Sequence, residues 1–119
     1  MSRIKTLSHK GCSILFVDYS NIGPADLDDI INEVRPLIDV AAPKSVLMLS
    51  DFTNVTYDKE ATAKMKEFAQ LNTPFIRASA ILGITGLKKV IYTGVVRATG
   101  RNIHLCKTLD EAKDWLASQ

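Results

Sequence analysis

The cations of this chain are unevenly placed. Residues 68–109 hold Arg77, Lys88, Lys89, Arg97, Arg101 and Lys107 and no carboxylate at all, whereas residues 1–67 and 110–119 are each net acidic. Four of the six fall between positions 88 and 101. An acid-free stretch of this kind favours an anion, although a formal net charge of +2 over the whole chain is too small to imply nucleic-acid binding. Just before the lysines, Gly83, Ile84, Thr85 and Gly86 form a strand-to-helix turn whose amides would also favour an anion. The turn lacks the Gly-x-x-x-x-Gly-Lys-Ser/Thr spacing, so it reads as a connection and not as a nucleotide site.

Two other sets carry chemistry in principle. His9, Cys12, His104 and Cys106 have the residue types of a four-ligand zinc site, but His104 and Cys106 share one face of a short strand, and zinc sites normally draw on turns with tighter paired spacing. We read the cysteines as two buried thiols, 94 positions apart with no Cys-x-x-Cys spacing, and expect no metal and no cofactor. Asp28 and Asp29 are adjacent carboxylates in an acidic helix start, which is dipole chemistry and not an acid/base pair. No histidine stands beside a nucleophile and a carboxylate in a recognisable motif, so the expectation is a protein that is not an enzyme.

The elements that must position these residues follow from periodicity. At 119 residues, 46% of them apolar and only ten Pro or Gly, residues 1–119 suit a single folded domain. The longest apolar runs, Ile14 to Val17 and Val46 to Leu49, are far short of the roughly 20 residues of a membrane span. With no apolar block in Met1 to Lys10, the expected location is cytoplasmic. Arg3 to Leu7 and Ser13 to Tyr19 read as a hairpin around His9, Lys10 and Gly11. Pro24 opens a helix with a stripe of Leu27, Ile30, Ile31, Val34, Leu37, Ile38 and Ala41, interrupted by Pro36. Ser45 to Ser50 is a buried strand. A helix from about Lys59 to Leu71 follows, with Ala61, Met65, Phe68, Ala69 and Leu71 inward. Phe75 to Gly83 is a strand, Leu87 to Ala98 a helix and Asn102 to Lys107 the last strand. Thr108 and Glu111 then form a capping box for a helix that buries Leu109, Ala112, Trp115 and Leu116. The order ββαβαβαβα calls for an α/β fold: a mixed, mostly parallel five-stranded sheet with about four helices, its opening hairpin at an edge.

Opposite its core stripe the Leu87 to Ala98 helix carries Lys88, Lys89, Tyr92, Val96 and Arg97. Together with Thr85, Gly86 and Arg101 these residues make the expected binding face, suited to a protein partner with acidic groups; the alternative is anionic lipid or an apolar small ligand.

The whole pattern resembles the STAS superfamily, in its SpoIIAA-like branch of bacterial regulatory domains. The resemblance is carried by the hairpin, by the strand running into Asp51, Phe52, Thr53 and Asn54, by Ala78 to Gly83 followed by Thr85, Gly86, Leu87, Lys88 and Lys89, and by the ending Leu109, Asp110, Glu111, Ala112, Lys113, Asp114, Trp115, Leu116. It implies a STAS-like fold and a regulatory domain that acts through protein–protein contacts. In the anti-sigma-factor antagonists of that superfamily, a loop like Asp51 to Tyr57 leads into Asp-Ser-Ser-Gly, whose serine is phosphorylated. Here the corresponding residues are Lys59, Glu60, Ala61 and Thr62, so the usual acceptor serine is missing. The resemblance thus implies a regulatory loop at Asn54, Thr56, Tyr57, Glu60 and Thr62. In it Glu60 either mimics a modified serine or serves the helix dipole.

Overall fold

A computed structural model describes residues 3–56, 58–84 and 102–119. It contains strands β1 (Ile4–His9), β2 (Cys12–Asp18), β3 (Val46–Asp51), β4 (Ile76–Leu82) and β5 (Ile103–Cys106), and helices α1 (Leu27–Asp39), α2 (Lys59–Asn72) and α3 (Leu109–Ala117). Three helices are therefore seen among the described residues. The expected Leu87 to Ala98 helix lies outside them, as do Tyr57 and the whole expected binding face: Thr85, Gly86, Lys88, Lys89, Tyr92, Val96, Arg97 and Arg101.

The sheet order is β1-β2-β3-β4-β5, antiparallel between β1 and β2 and parallel from there on. Lys10 and Gly11 both have positive φ, 49° and 79°, the geometry of a type I′ turn. It brings His9 opposite Cys12 and matches the twist of the two strands. The three parallel pairs, from β2 to β5, need cover on both faces.

Side-chain alternation divides that cover. Val17 and Met48 lie with Ile81 on one face, against Leu27, Ile30, Val34 and Ile38 of α1 and Ala61 and Phe68 of α2. The other face presents Ile14, Leu47, Leu49, Ala78, Ala80, Leu82 and Cys106, and Ala112 and Leu116 of α3 close over it. The crossover helices among the described residues, α1 and α2, occupy one side because the steps from β2 to β3 and from β3 to β4 go the same way along the sheet and such connections are right-handed. α3 follows the last strand and covers the side left over. It packs chiefly over β4, where Ala78 and Ala80 leave room for its backbone, and both alanines are essentially inaccessible, at 1% and 0% exposure.

The helix stripes are narrower than periodicity suggested. α1 buries positions 27, 30, 34 and 38, and α2 buries 61, 68 and 72, with Met65 partly covered between them. Leu37, Leu71 and Leu109, read from the sequence as core, are 49%, 48% and 41% exposed. Each lies on the flank of its stripe, beyond the contact with the sheet. At the end of α2 the inward position belongs to Asn72, 2% exposed, and not to the leucine before it. Pro36 sits inside α1 without ending it: the helix continues to Asp39 and still buries Ile38.

Leu116 is fully buried, while Trp115 packs only partly against the same cluster. Leu116→Ala should cost about 2 to 5 kcal/mol and Trp115→Ala less than about 3, because the indole leaves a groove open to solvent and not a sealed cavity. Denaturant melts of both variants check the order; a costlier Trp115→Ala would contradict this packing.

Candidate functional site

Two regions bring polar residues from several elements together. The first lies at the carboxyl ends of β2, β3 and β4, where main-chain pairing continues past the strands into the loops. Tyr19 donates its N–H to Asp51 O at 2.9 Å, Asn21 to Thr53 O at 2.9 Å, Phe52 to Leu82 O at 2.9 Å and Thr56 to Ile22 O at 3.0 Å. Aspartates shape the turns: Asp18 Oδ1 accepts from the Ser20 N–H at 2.8 Å, and Asp51 Oδ1 accepts from the N–H and the hydroxyl of Thr53 at 2.9 and 2.6 Å. Asn21 and Asn54 both adopt the left-handed conformation that asparagine tolerates, φ 62° and 56°, and the Asn54 side-chain amide donates to Asn21 Oδ1 at 3.2 Å. Beneath them the Tyr19 and Phe52 rings stack at 4.6 Å and 11°. The two loops thus form one platform on a buried aromatic floor.

Gly83 fits this platform tightly. Its φ is +83°, and a Cβ there would lie 2.4 Å from the backbone nitrogen of Thr53. No side chain is tolerated without moving the β3 loop.

Of the expected regulatory loop, Asn54 and Thr56 lie exposed on this platform, whereas Glu60 and Thr62 lie in the first turn of α2. Asp58 caps that helix through Oδ1, which accepts from the Ala61 N–H at 2.7 Å. The exposed Thr62 turns its hydroxyl back along the helix, donating to Asp58 O at 2.9 Å. The Glu60 side chain is 78% exposed and stands 3.4 Å from Lys64 Nζ, which also meets Asp28 of α1 at 2.8 Å. These partners, Asp28 first, hold the Lys64 ammonium above its ordinary pKa. Glu60 therefore sits in a charge network linking α1 and α2, the dipole-and-pair environment of an ordinary first-turn glutamate.

The second region is the start of α3. Thr108 Oγ1 accepts from the Glu111 N–H at 3.1 Å, and Glu111 Oε2 reaches back to accept from the Lys107 N–H at 3.0 Å, one residue earlier than in a standard capping box. The return of Glu111 puts a donor atom of His104, Cys106 and Glu111 within 4.8 Å of one another. His104 Nε2 lies 3.9 Å from Glu111 Oε1, and the His104 ring stacks on Trp115 at 4.9 Å and 19°. Burial, and secondarily the Glu111 charge, push the Cys106 thiol up to about 11.

The histidines and cysteines of the sequence pattern do not converge. β1 and β5 are opposite edges of the sheet, four strand spacings or about 19 Å apart, which separates His9 from His104. His9 instead meets Asp114 of α3 at 2.7 Å, with Lys10 3.1 Å from the same oxygen; the His9 and Lys10 contacts hold the Asp114 carboxyl below its ordinary pKa. Both cysteines are free thiols, Cys106 buried but Cys12 only half-buried, a correction to the reading of two buried thiols. The sequence pattern missed Glu111 as a neighbour of His104 and Cys106 because the capping box already accounted for it. The signal was its place one turn into the helix that follows them.

Comparison of the chain with protein-family models, curated proteins and solved structures returns no match.

Gly83→Ala should destabilise the protein by more than about 1 kcal/mol, whereas Gly23→Ala, where nothing lies within 4 Å and φ is negative, should stay within about 0.5 kcal/mol of neutral. Equal unfolding midpoints for the two variants would show that the β3 and β4 loops are not locked together.

Proposed function

We propose that the chain is a non-enzymatic regulatory domain of the STAS type, akin to the SpoIIAA-like branch, that acts through protein–protein contacts in the cytoplasm. The observation that carries this reading is the platform after β2 and β3. Its cross-loop main-chain bonds and stacked aromatic floor hold Asn54 and Thr56 exposed beside the first turn of α2, so a partner would meet a surface already ordered and little entropy would be lost on docking. The carboxylates nearest this surface support a recognition role over catalysis: Asp18 and Asp51 are spent on turns, Asp58 on a helix cap and Asp28 on Lys64. With Lys59, Glu60, Ala61 and Thr62 where the superfamily has its acceptor serine, and with the Thr62 hydroxyl engaged, regulation here would run through partner occupancy and not phosphorylation.

A second reading, binding to a lipid surface or an apolar small ligand, draws on the exposed apolar side chains Leu37 and Val40 at the end of α1 and Leu71 at the end of α2. Because α1 and α2 both run back antiparallel to the strands, these residues gather at the opposite end of the molecule from the platform.

Photo-crosslinking residues placed at Thr56 and Glu60, with Asp110 on the far face as control, separate the two readings. The expected outcome is a discrete protein adduct in cells from positions 56 and 60 and not from 110. No adduct at 56 or 60, together with sedimentation of the protein on anionic vesicles that is lost in Leu37→Ser/Val40→Ser, would transfer the function to the second reading.

A further inference from the structure

We propose that His104, Cys106 and Glu111 bind a zinc ion, with the fourth ligand supplied by water. The inference stands apart from the regulatory reading and concerns the opposite face of the sheet.

The site is a product of register. His104 and Cys106 are alternate residues of β5 and point to the same face, and the two-residue turn at Lys107 and Thr108 sends α3 back so that its first turn lies over the strand end. A tetrahedral zinc with bonds of about 2.0 to 2.3 Å has ligand atoms about 3.3 to 3.7 Å apart. The donors here lie within 4.8 Å of one another, and His104 Nε2 and Glu111 Oε1 already approach to 3.9 Å. Closing the remainder takes side-chain rotation of about 1 Å, available because the His104 and Glu111 side chains are 43% and 45% exposed.

Neighbouring groups already orient two of the donors. The Trp115 ring lies against the imidazole, and the Lys107 N–H holds Glu111 Oε2, leaving Oε1 toward His104. The third, Cys106, is anchored in the core beneath α3, so it would form the closed inner corner of the site while water reaches the outer one. A thiol, an imidazole and a carboxylate together suit zinc. Calcium and magnesium want oxygen alone, and iron–sulfur clusters want more thiolates. On binding, the Cys106 S–H bond breaks and an S–Zn bond forms, releasing one proton to solvent; the thiolate and the Glu111 carboxylate then balance the charge of the ion. No disulfide competes, since Cys12 lies on β2, three strand spacings or about 14 Å away.

The test is titration of the metal-stripped full chain with cobalt(II), followed by displacement with zinc, in wild type and in Cys106→Ala, His104→Gln and Glu111→Gln, with a thermal melt of each. The expected result is one equivalent of cobalt with thiolate-to-metal charge-transfer and tetrahedral ligand-field absorption. The charge-transfer band should be absent in Cys106→Ala, and zinc affinity should fall at least about tenfold in each of the other two variants. Glu111→Gln keeps an oxygen for the Lys107 N–H and so preserves the helix start, which covers the case in which Cys106→Ala fails to fold. Lack of the charge-transfer band in wild type, its persistence in Cys106→Ala, or unchanged zinc affinity in folded Glu111→Gln and His104→Gln would each overturn the proposal.

Discussion

The structure depends on the small-residue floor of β4. A mostly parallel sheet has to be covered on both faces, and the connections between its strands place α1 and α2 on one face only. Among the described residues, the other face is covered by the helix that follows β5. Ala78 and Ala80 allow that helix to settle close enough for Ala112 and Leu116 to be wholly excluded from water. Larger side chains at either position would hold α3 off the sheet and expose Ile14, Leu47 and Leu49 together.

That docking also fixes the polar neighbourhoods at both sheet edges. With α3 seated, Glu111 and Trp115 flank His104 at the β5 edge, and Asp114 meets His9 and Lys10 at the hairpin. The hairpin contacts are exposed ion pairs that add little to stability, so apolar burial decides where the helix lies and the charges follow. The loops after β2 and β3 are ordered by a different means. Main-chain bonds, two left-handed asparagines and the close approach of Gly83 set their shape, while Tyr19, Ile22, Phe52 and Val55 root them in the core beneath.

Much of the fold was legible in the sequence. Short apolar runs rich in β-branched residues marked the buried strands, Lys10 and Gly11 marked the hairpin turn, and the βα alternation marked parallel pairing; among the described residues the sheet has the five strands expected. The misread helix positions have one physical source. Periodicity places Leu37, Leu71 and Leu109 within reach of a core stripe, but how much of a helix flank is covered depends on the breadth of what it packs against, which is a tertiary property. Candidate sites were less legible for the same reason. The loop residues Asn54 and Thr56 were reached only through the family resemblance, because their pairing with Asn21 and Ile22 joins segments more than 30 positions apart. Glu111 satisfied a local rule as a helix-capping residue, and only the fold of α3 over β5 reveals its second set of neighbours.

Native-state hydrogen exchange of α3 tests this account most directly. A terminal helix held only by local bonds frays and exchanges almost freely, whereas one that closes a face of the core exchanges through global unfolding. The amides of Ala112 to Leu116 are predicted to share the protection of the central strands β3 and β4 and to respond to denaturant with the same slope. Exchange of those amides orders of magnitude faster than that of β3 and β4, under conditions where the sheet stays protected, would contradict the claim that α3 on the alanine floor organises the molecule.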